Sequence, residues 1–406
     1  MSDRPNLLVV MTDQQRTDTV GCLGGRHVRT PGIDRLAARG ILFERAFTPV
    51  PMCSPARASL WTGLYPHGHG VEDNVYRIPR ALPQGDERTV FGPLRRAGYR
   101  LAYVGKWHLG EADPGLFDLW DGYNSLEPQW LTRPDGARTY RSFAETDRAA
   151  GFLGGQKEAD RPFCLVVSYY PPHPPYDPPA EYRALAAASP LPGYFGAVAA
   201  IDACVVRLLD ALDASGLAGR TAIVFCSDHA QLLALRDGPN PKRNLYDETV
   251  RIPMILALPG GRAAGTRTAA LVSLLDVTPT LLALAGPPPP QPCHGASLLP
   301  FADGGSPPWR DAFLLQNTTR PEHEAKRMAR RERGLRTAAA KLVVAERRMP
   351  ALYDLDADPE ERCNLLAGES PQRERARDLA LRMRAAAEAV ADPIGLAAAD
   401  AMLRRG

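Results

Sequence analysis

Four short apolar runs, each stopped at once by polar or punctuating residues, constrain the fold of this chain more than any other feature. They cover 6–12, 100–105, 163–170 and 221–227, and their β-branched and aromatic content is that of buried strands. Helix-like stretches such as 32–39 and 194–215 lie between them. This alternation predicts an α/β fold, a large and mainly parallel sheet sandwiched by helices. In such sheets ligands bind beyond the carboxyl ends of the strands, so the residues that stop each run are the first candidates for chemistry. They are Asp13-Gln14, Lys106-Trp107-His108, Pro171-Pro172-His173 and Asp228-His229, a collection suited to metal ligation and anion binding.

The 406 residues exceed what one small core needs and suit a large domain with a smaller one. The proline run within 286–292 reads as a rigid connector. We therefore expect an α/β domain at 1–290 and a smaller C-terminal α+β domain at 291–406. In the latter, 334–337 and 341–345 read as paired short strands and 372–391 as a helix. The basic cluster 326–333, interleaved with Glu324 and Glu332, reads as a solvated helix face.

Charge excludes some partners. The 49 basic and 46 acidic residues nearly cancel, which gives no reason to propose nucleic acid or an anionic membrane surface. No window approaches the ~18 apolar residues that span a bilayer. The apolar run at 6–13 is too short for a signal-peptide core and lacks a small-residue cleavage site, so the expectation is a soluble, cytoplasmic protein. Seven cysteines without zinc-site spacing suit a reducing compartment better than a disulfide framework.

Between the first two runs lies Cys53-Ser54-Pro55-Ala56-Arg57. Pro55 fits the first turn of a helix, where it forfeits no hydrogen bond, and this sets Cys53 at the helix N-terminus. Unpaired amides and the helix dipole favour negative charge there, and Arg57, one turn along, adds a fixed cation. A buried structural cysteine is the plainer alternative.

The segment 53–63, Cys-Ser-Pro-Ala-Arg-Ala-Ser-Leu-Trp-Thr-Gly, resembles the signature of the sulfatase family in the alkaline phosphatase superfamily. The stretches 105–110, 244–254 and 352–361 extend the resemblance over nearly the whole chain. It implies that Cys53 is oxidised by a separate maturation enzyme to formylglycine, whose hydrated aldehyde attacks sulfur and leaves a covalent sulfated hemiacetal. It implies one divalent cation, calcium before manganese or magnesium, on Asp13, Gln14, Asp228, His229 and the position-53 oxygen. Each of these pairs also has a plain structural use, Asp13 as a helix cap and Asp228-His229 as a strand end.

By the same resemblance, Arg57 and Lys106 hold position 53 and the transferring group, His108 assists collapse of the intermediate, and His173 and Lys242 assist the leaving group. Lys242 is one of only five lysines against 44 arginines. Lys106 and His108, two apart, share a side if strand geometry continues. The implied substrate is a small-molecule sulfate ester, and a homo-oligomer is compatible with all of this.

The chain departs from the family pattern in three places. Gln14 stands where many members carry a second aspartate, a variant associated with branches resembling choline sulfatases and phosphonate monoester hydrolases. Ala230 replaces a glycine, and 231–241 lacks a Gly-Asp-His segment. A phosphonate or phosphate mono- or diester hydrolase using the same site therefore stays open, as does a catalytically silent binding protein of the same fold.

Overall fold

Each of the four apolar runs is a strand in the structure, a computed structural model that describes the chain except residues 1–3, 77–80, 83–87, 158–159, 234–243, 304, 319–330, 347, 368–371 and 405–406. The strands are β1 (Asn6–Thr12), β2 (Ile41–Phe47), β3 (Arg100–Lys106), β4 (Leu119–Tyr123), β5 (Trp130–Thr132), β6 (Arg138–Tyr140), β7 (Phe163–Ser168), β8 (Thr221–Ser227), β9 (Arg251–Ile252), β10 (Met254–Ala257) and β11 (Thr266–Ser273). A nine-stranded sheet has the order β11-β2-β10-β8-β1-β7-β3-β4, with β9 paired to β2. Strands β8, β1, β7, β3 and β4 run parallel to one another, whereas β10 is antiparallel to both neighbours.

Alternation along β1 divides its side chains between two cores. Leu7, Val9 and Met11 enter one, with Ala56, Leu60 and Trp61 of the helix Cys53–Thr62; Leu8 and Val10 enter the other, with Ile201, Leu208 and Leu212 of the helix Pro192–Ala214. Burial on both faces explains why these strands read as unbroken apolar runs.

The third run ends earlier than its composition predicts. β7 stops at Ser168; the Tyr169 N–H still reaches the Met11 carbonyl at 2.8 Å, but Pro171 and Pro172 have no N–H with which to continue a ladder. Nor does strand geometry run on from Lys106 to His108. β3 ends at Lys106 and His108 takes a left-handed φ of 57°, so the two are not alternate residues of one strand.

The C-terminal part holds an antiparallel sheet of β12 (Ala312–Asn317), β13 (Glu332–Thr337), β14 (Ala340–Ala345) and β15 (Ala351–Asp354), in that order. The helices Arg373–Ala389 and Pro393–Leu403 cover it, packing Leu379, Met383 and Met402 onto Leu335, Leu342 and Leu352. Glu332 and Arg333 are buried strand residues, not part of a solvated helix face. Arg333 pairs with buried Asp392 at 2.6 Å, which is what lets a guanidinium occupy that position. Residues 326–330 of that cluster lie outside the described residues. Beyond the proline connector, Leu298 and Phe301 still pack into the large core, Phe301 edge-on to Phe43. Among the described residues no helix is long and apolar enough to cross a membrane.

Candidate active site

The helix Cys53–Thr62 begins at Cys53 after an extended Met52, carries Pro55 in its first turn, and has all ten residues buried. Gly63, at φ 70°, closes it in the left-handed conformation that glycine adopts without strain. Its N-terminus is locked from outside. The Ser54 N–H donates to Asn74 Oδ1 at 3.0 Å, and the Ser54 hydroxyl donates to the His108 carbonyl at 2.8 Å while accepting from the Val75 N–H at 3.1 Å.

Sheet order brings the ends of β1, β3, β7 and β8 to this helix. Cys53 Sγ lies 3.2 Å from His229 Nε2 and 3.8 Å from Asp13 Oδ1. Ligand atoms of Asp13, Cys53, Asp228 and His229 all fall within 4.8 Å of one another, in full burial. His229 Nδ1 sits 2.8 Å from the Ala230 carbonyl, which suits a proton on Nδ1 and leaves the Nε2 lone pair facing the cluster.

Arg57 ties the strand ends together. Its Nε meets Asp228 Oδ2 at 3.1 Å and its Nη2 meets Asp13 Oδ2 at 2.9 Å; Nη1 donates to the Lys106 carbonyl at 2.6 Å and to Ser168 Oγ at 2.8 Å. Lys106 Nζ adds a 2.6 Å contact to Asp13 Oδ2. Burial pushes the Asp13 carboxyl up, but Lys106, His173, Arg57 and His229 outweigh it and hold Asp13 well below the usual carboxylate range. Asp228 goes the other way, raised by burial and by the facing charge of Asp13.

The donor set fits a divalent cation. Two buried carboxylates repel each other across the cluster, and a dication relieves that repulsion. Gln14, held at φ 67°, has a buried Oε1 with no hydrogen-bond partner among the described residues, and its N–H donates to Asp228 Oδ1 at 3.2 Å. A buried amide oxygen without a partner is the kind of hard ligand that calcium, magnesium or manganese takes.

The family model for sulfatases matches residues 5–287. The chain belongs to the sulfatase family. Its enzyme class is accordingly that of the sulfuric ester hydrolases. A second model, the N-sulphoglucosamine sulphohydrolase C-terminal region, matches 238–388. Uncharacterized sulfatase YidJ of Escherichia coli (strain K12) is 31% identical, with 89% of this chain and 83% of that protein covered. The crystal structure of yidJ from Bacteroides fragilis is 26% identical, with a TM-score of 0.85 and 98% of each chain covered. Phosphonate monoester hydrolase of Agrobacterium radiobacter is also 26% identical, with a TM-score of 0.77, covering 95% of this chain and 96% of that one.

Of the residues singled out in this sulfatase's sequence, Asp13, Gln14, Cys53, Arg57, Lys106, Asp228 and His229 converge in one buried cluster. His108 adjoins it through its carbonyl on Ser54, with its ring 5.5 Å from that of Tyr76. His173 is half-buried, its Nδ1 2.6 Å from the Pro174 carbonyl and its carbonyl accepting from Gln129 Nε2 at 2.7 Å. Lys242 lies outside the described residues.

The sequence reading missed Tyr170 and Ser168. The Tyr170 ring has Lys106 Nζ over it at 4.4 Å from its centroid and stacks on the His173 ring at 4.7 Å. Ser168 accepts from Arg57 and donates to the Lys106 carbonyl at 2.7 Å. Ser168 lies inside the run read from the sequence as extending to Tyr170, so no local signal marked it, and nothing local distinguishes Tyr170 from Tyr169.

Proposed function

We propose that this sulfatase hydrolyses sulfate esters of small molecules with position 53 matured to formylglycine, beside one divalent cation, calcium first, held by Asp13, Gln14, Asp228 and His229. The observation that carries this is the place of Cys53, at once the first residue of a buried helix and a member of the ligand cluster. Hydrated formylglycine supplies an oxygen nucleophile that a thiol does not. The cation supplies Lewis-acid polarisation of that oxygen and of the sulfuryl group.

The chain's own residues do the rest. Arg57 fixes Asp13 and Asp228 relative to the helix that carries position 53, so the nucleophile and the cation site share one frame. Lys106 presents its ammonium beside Asp13, where a sulfuryl oxygen gains a cationic partner in a site that excludes water. With position 53 matured, His108 would take up a proton in the second half of the reaction, and His173 with Lys242 would deliver one to the leaving oxygen.

Hydrolysis of phosphonate or phosphate esters at this site is the second reading. Gln14 in place of a second carboxylate favours it, together with the likeness to the Agrobacterium radiobacter enzyme. Two measurements decide. After coexpression with a formylglycine-generating enzyme, mass spectrometry of the tryptic peptide 46–57 reports whether position 53 is converted. Paired assays with p-nitrophenyl sulfate and a phenylphosphonate ester report which bond is cut. The proposal expects conversion and faster sulfate release. An unconverted Cys53 with neither ester cut overturns it in favour of a silent binding protein, and cleavage of the phosphonate alone overturns it in favour of the second reading.

A further inference from the structure

The C-terminal sheet reaches the candidate metal site through a buried lysine. Lys341, on β14, is fully buried, and its Nζ donates to the Leu245 carbonyl at 2.8 Å while pairing with Asp247 Oδ1 at 2.5 Å and Glu361 Oε1 at 2.7 Å. Arg336 of β13 holds the other Asp247 oxygen at 2.9 Å, and Glu361 Oε2 accepts the Asp247 N–H at 2.6 Å. Burial pushes the Asp247 carboxyl up, but Lys341 and Arg336 outweigh it, so it stays ionised. Asp247 starts the one-turn helix Asp247–Val250, and the backbone of that turn braces two parts of the site. The Thr249 carbonyl accepts the Ala230 N–H at 2.9 Å, and the Val250 carbonyl accepts the Thr48 N–H at 2.8 Å. Ala230 follows His229, and its own carbonyl faces His229 Nδ1. Thr48 follows β2 and opens the loop before Cys53.

We propose that Lys341 is a positioning residue for the metal site: through Leu245 and Asp247 it holds the turn 247–250, and that turn fixes Ala230 and so the His229 imidazole. The inference rests on the reading of His229 as a cation ligand. A hydrogen bond that sets the ring orientation of an imidazole ligand changes metal affinity by about 10- to 100-fold when lost. Lys341 acts one step further out, so the lower figure applies. The other buried cation of the network, Arg336, does not substitute for it. Arg336 meets the Asp247 carboxylate and spends its remaining donor on the Thr337 and Ala338 carbonyls, whereas Lys341 also holds the Leu245 carbonyl.

The test uses the full-length matured protein. Removing Lys341 alone leaves two carboxylates against the single cation Arg336, so Lys341→Met is combined with Glu361→Gln, which keeps the network charge-balanced; Asp247→Asn is the second variant. Calcium affinity is measured by calorimetric titration, and the melting temperature is measured without calcium. The expected result is a cooperative melt in each variant with calcium binding about tenfold weaker than wild type. Folded variants that bind calcium as wild type does overturn the inference while leaving the site reading intact, whatever their melting temperature. A wild-type protein that binds neither calcium, magnesium nor manganese overturns both.

Discussion

Lys106 Nζ and Asp13 Oδ2 stand 2.6 Å apart, and neither side chain is exposed to solvent at all. A buried pair at this distance contributes little net stability against a hydrophobic replacement, but it is costly to break on one side. The pair holds an ammonium and an ionised carboxylate at fixed positions at the ends of β3 and β1, with β7 between the two strands.

Replacing Lys106 with Met removes one partner and leaves Asp13 buried with Arg57. We expect a loss of about 3–5 kcal/mol in urea unfolding at neutral pH and a fall in turnover of at least about 100-fold. The Asp13 carboxyl is depressed in the folded state, so its stabilising contribution is present above its unfolded pKa and disappears as pH falls through the folded one. Lys106→Met raises that folded pKa, and the acid-unfolding midpoint should move to higher pH.

Gln14→Leu separates a ligand from a structural amide. If Gln14 Oε1 ligates the cation, calcium affinity drops by about tenfold or more in a direct titration while the apo protein is no less stable, because no hydrogen bond of that oxygen is lost. Unchanged calcium affinity would remove Gln14 from the shell.

Calcium itself should stabilise the fold. At 100 times its dissociation constant a ligand adds about 2.7 kcal/mol, which a thermal melt reads as several degrees. Asp228→Asn should abolish that calcium-dependent shift; a shift of wild-type size in this variant would place the cation elsewhere.

Glu145 makes a pH prediction. It is buried on the helix Arg141–Gly154, accepts from the Tyr123 hydroxyl at 3.0 Å, and has its second oxygen without a partner among the described residues. Burial raises its pKa from 4.5 to about 8, against the opposing effects of the Tyr123 hydroxyl and Arg141. A raised folded pKa gives stability that is complete below the unfolded value and is lost as pH rises through the folded one, here between about 4.5 and 8. Glu145→Gln, neutral throughout, should flatten that slope and gain about 4 kcal/mol over wild type at pH 8 in denaturant melts.

Arg57→Lys tests the frame of the site. A lysine cannot reproduce the fork that meets Asp13, Asp228, Ser168 and the Lys106 carbonyl together. Turnover should fall by about 100-fold with the charge retained, and calcium titration should show weaker binding as the two carboxylates lose their common anchor.

The sequence by itself determined the central strands β1, β3, β7 and β8, because burial on both faces writes each one as an unbroken apolar run, and it placed Cys53 at a helix start through Pro55. It also marked Asp13, Lys106 and Asp228, since in a parallel sheet chemistry gathers where such runs stop. What it could not determine was who meets whom. Arg57 reaches Asp228 across 171 positions and Lys341 reaches Leu245 across 96, and only the sheet order β8-β1-β7-β3 and the docking of the C-terminal sheet bring them together. Tyr170 and Lys341 stayed invisible for the same reason: periodicity is local along the chain, whereas the partner that makes an aromatic ring or a buried lysine useful is chosen by tertiary packing. The sequence misread 332–333 as solvated because charged residues signal exposure until the structure supplies Asp392 as a buried partner for Arg333.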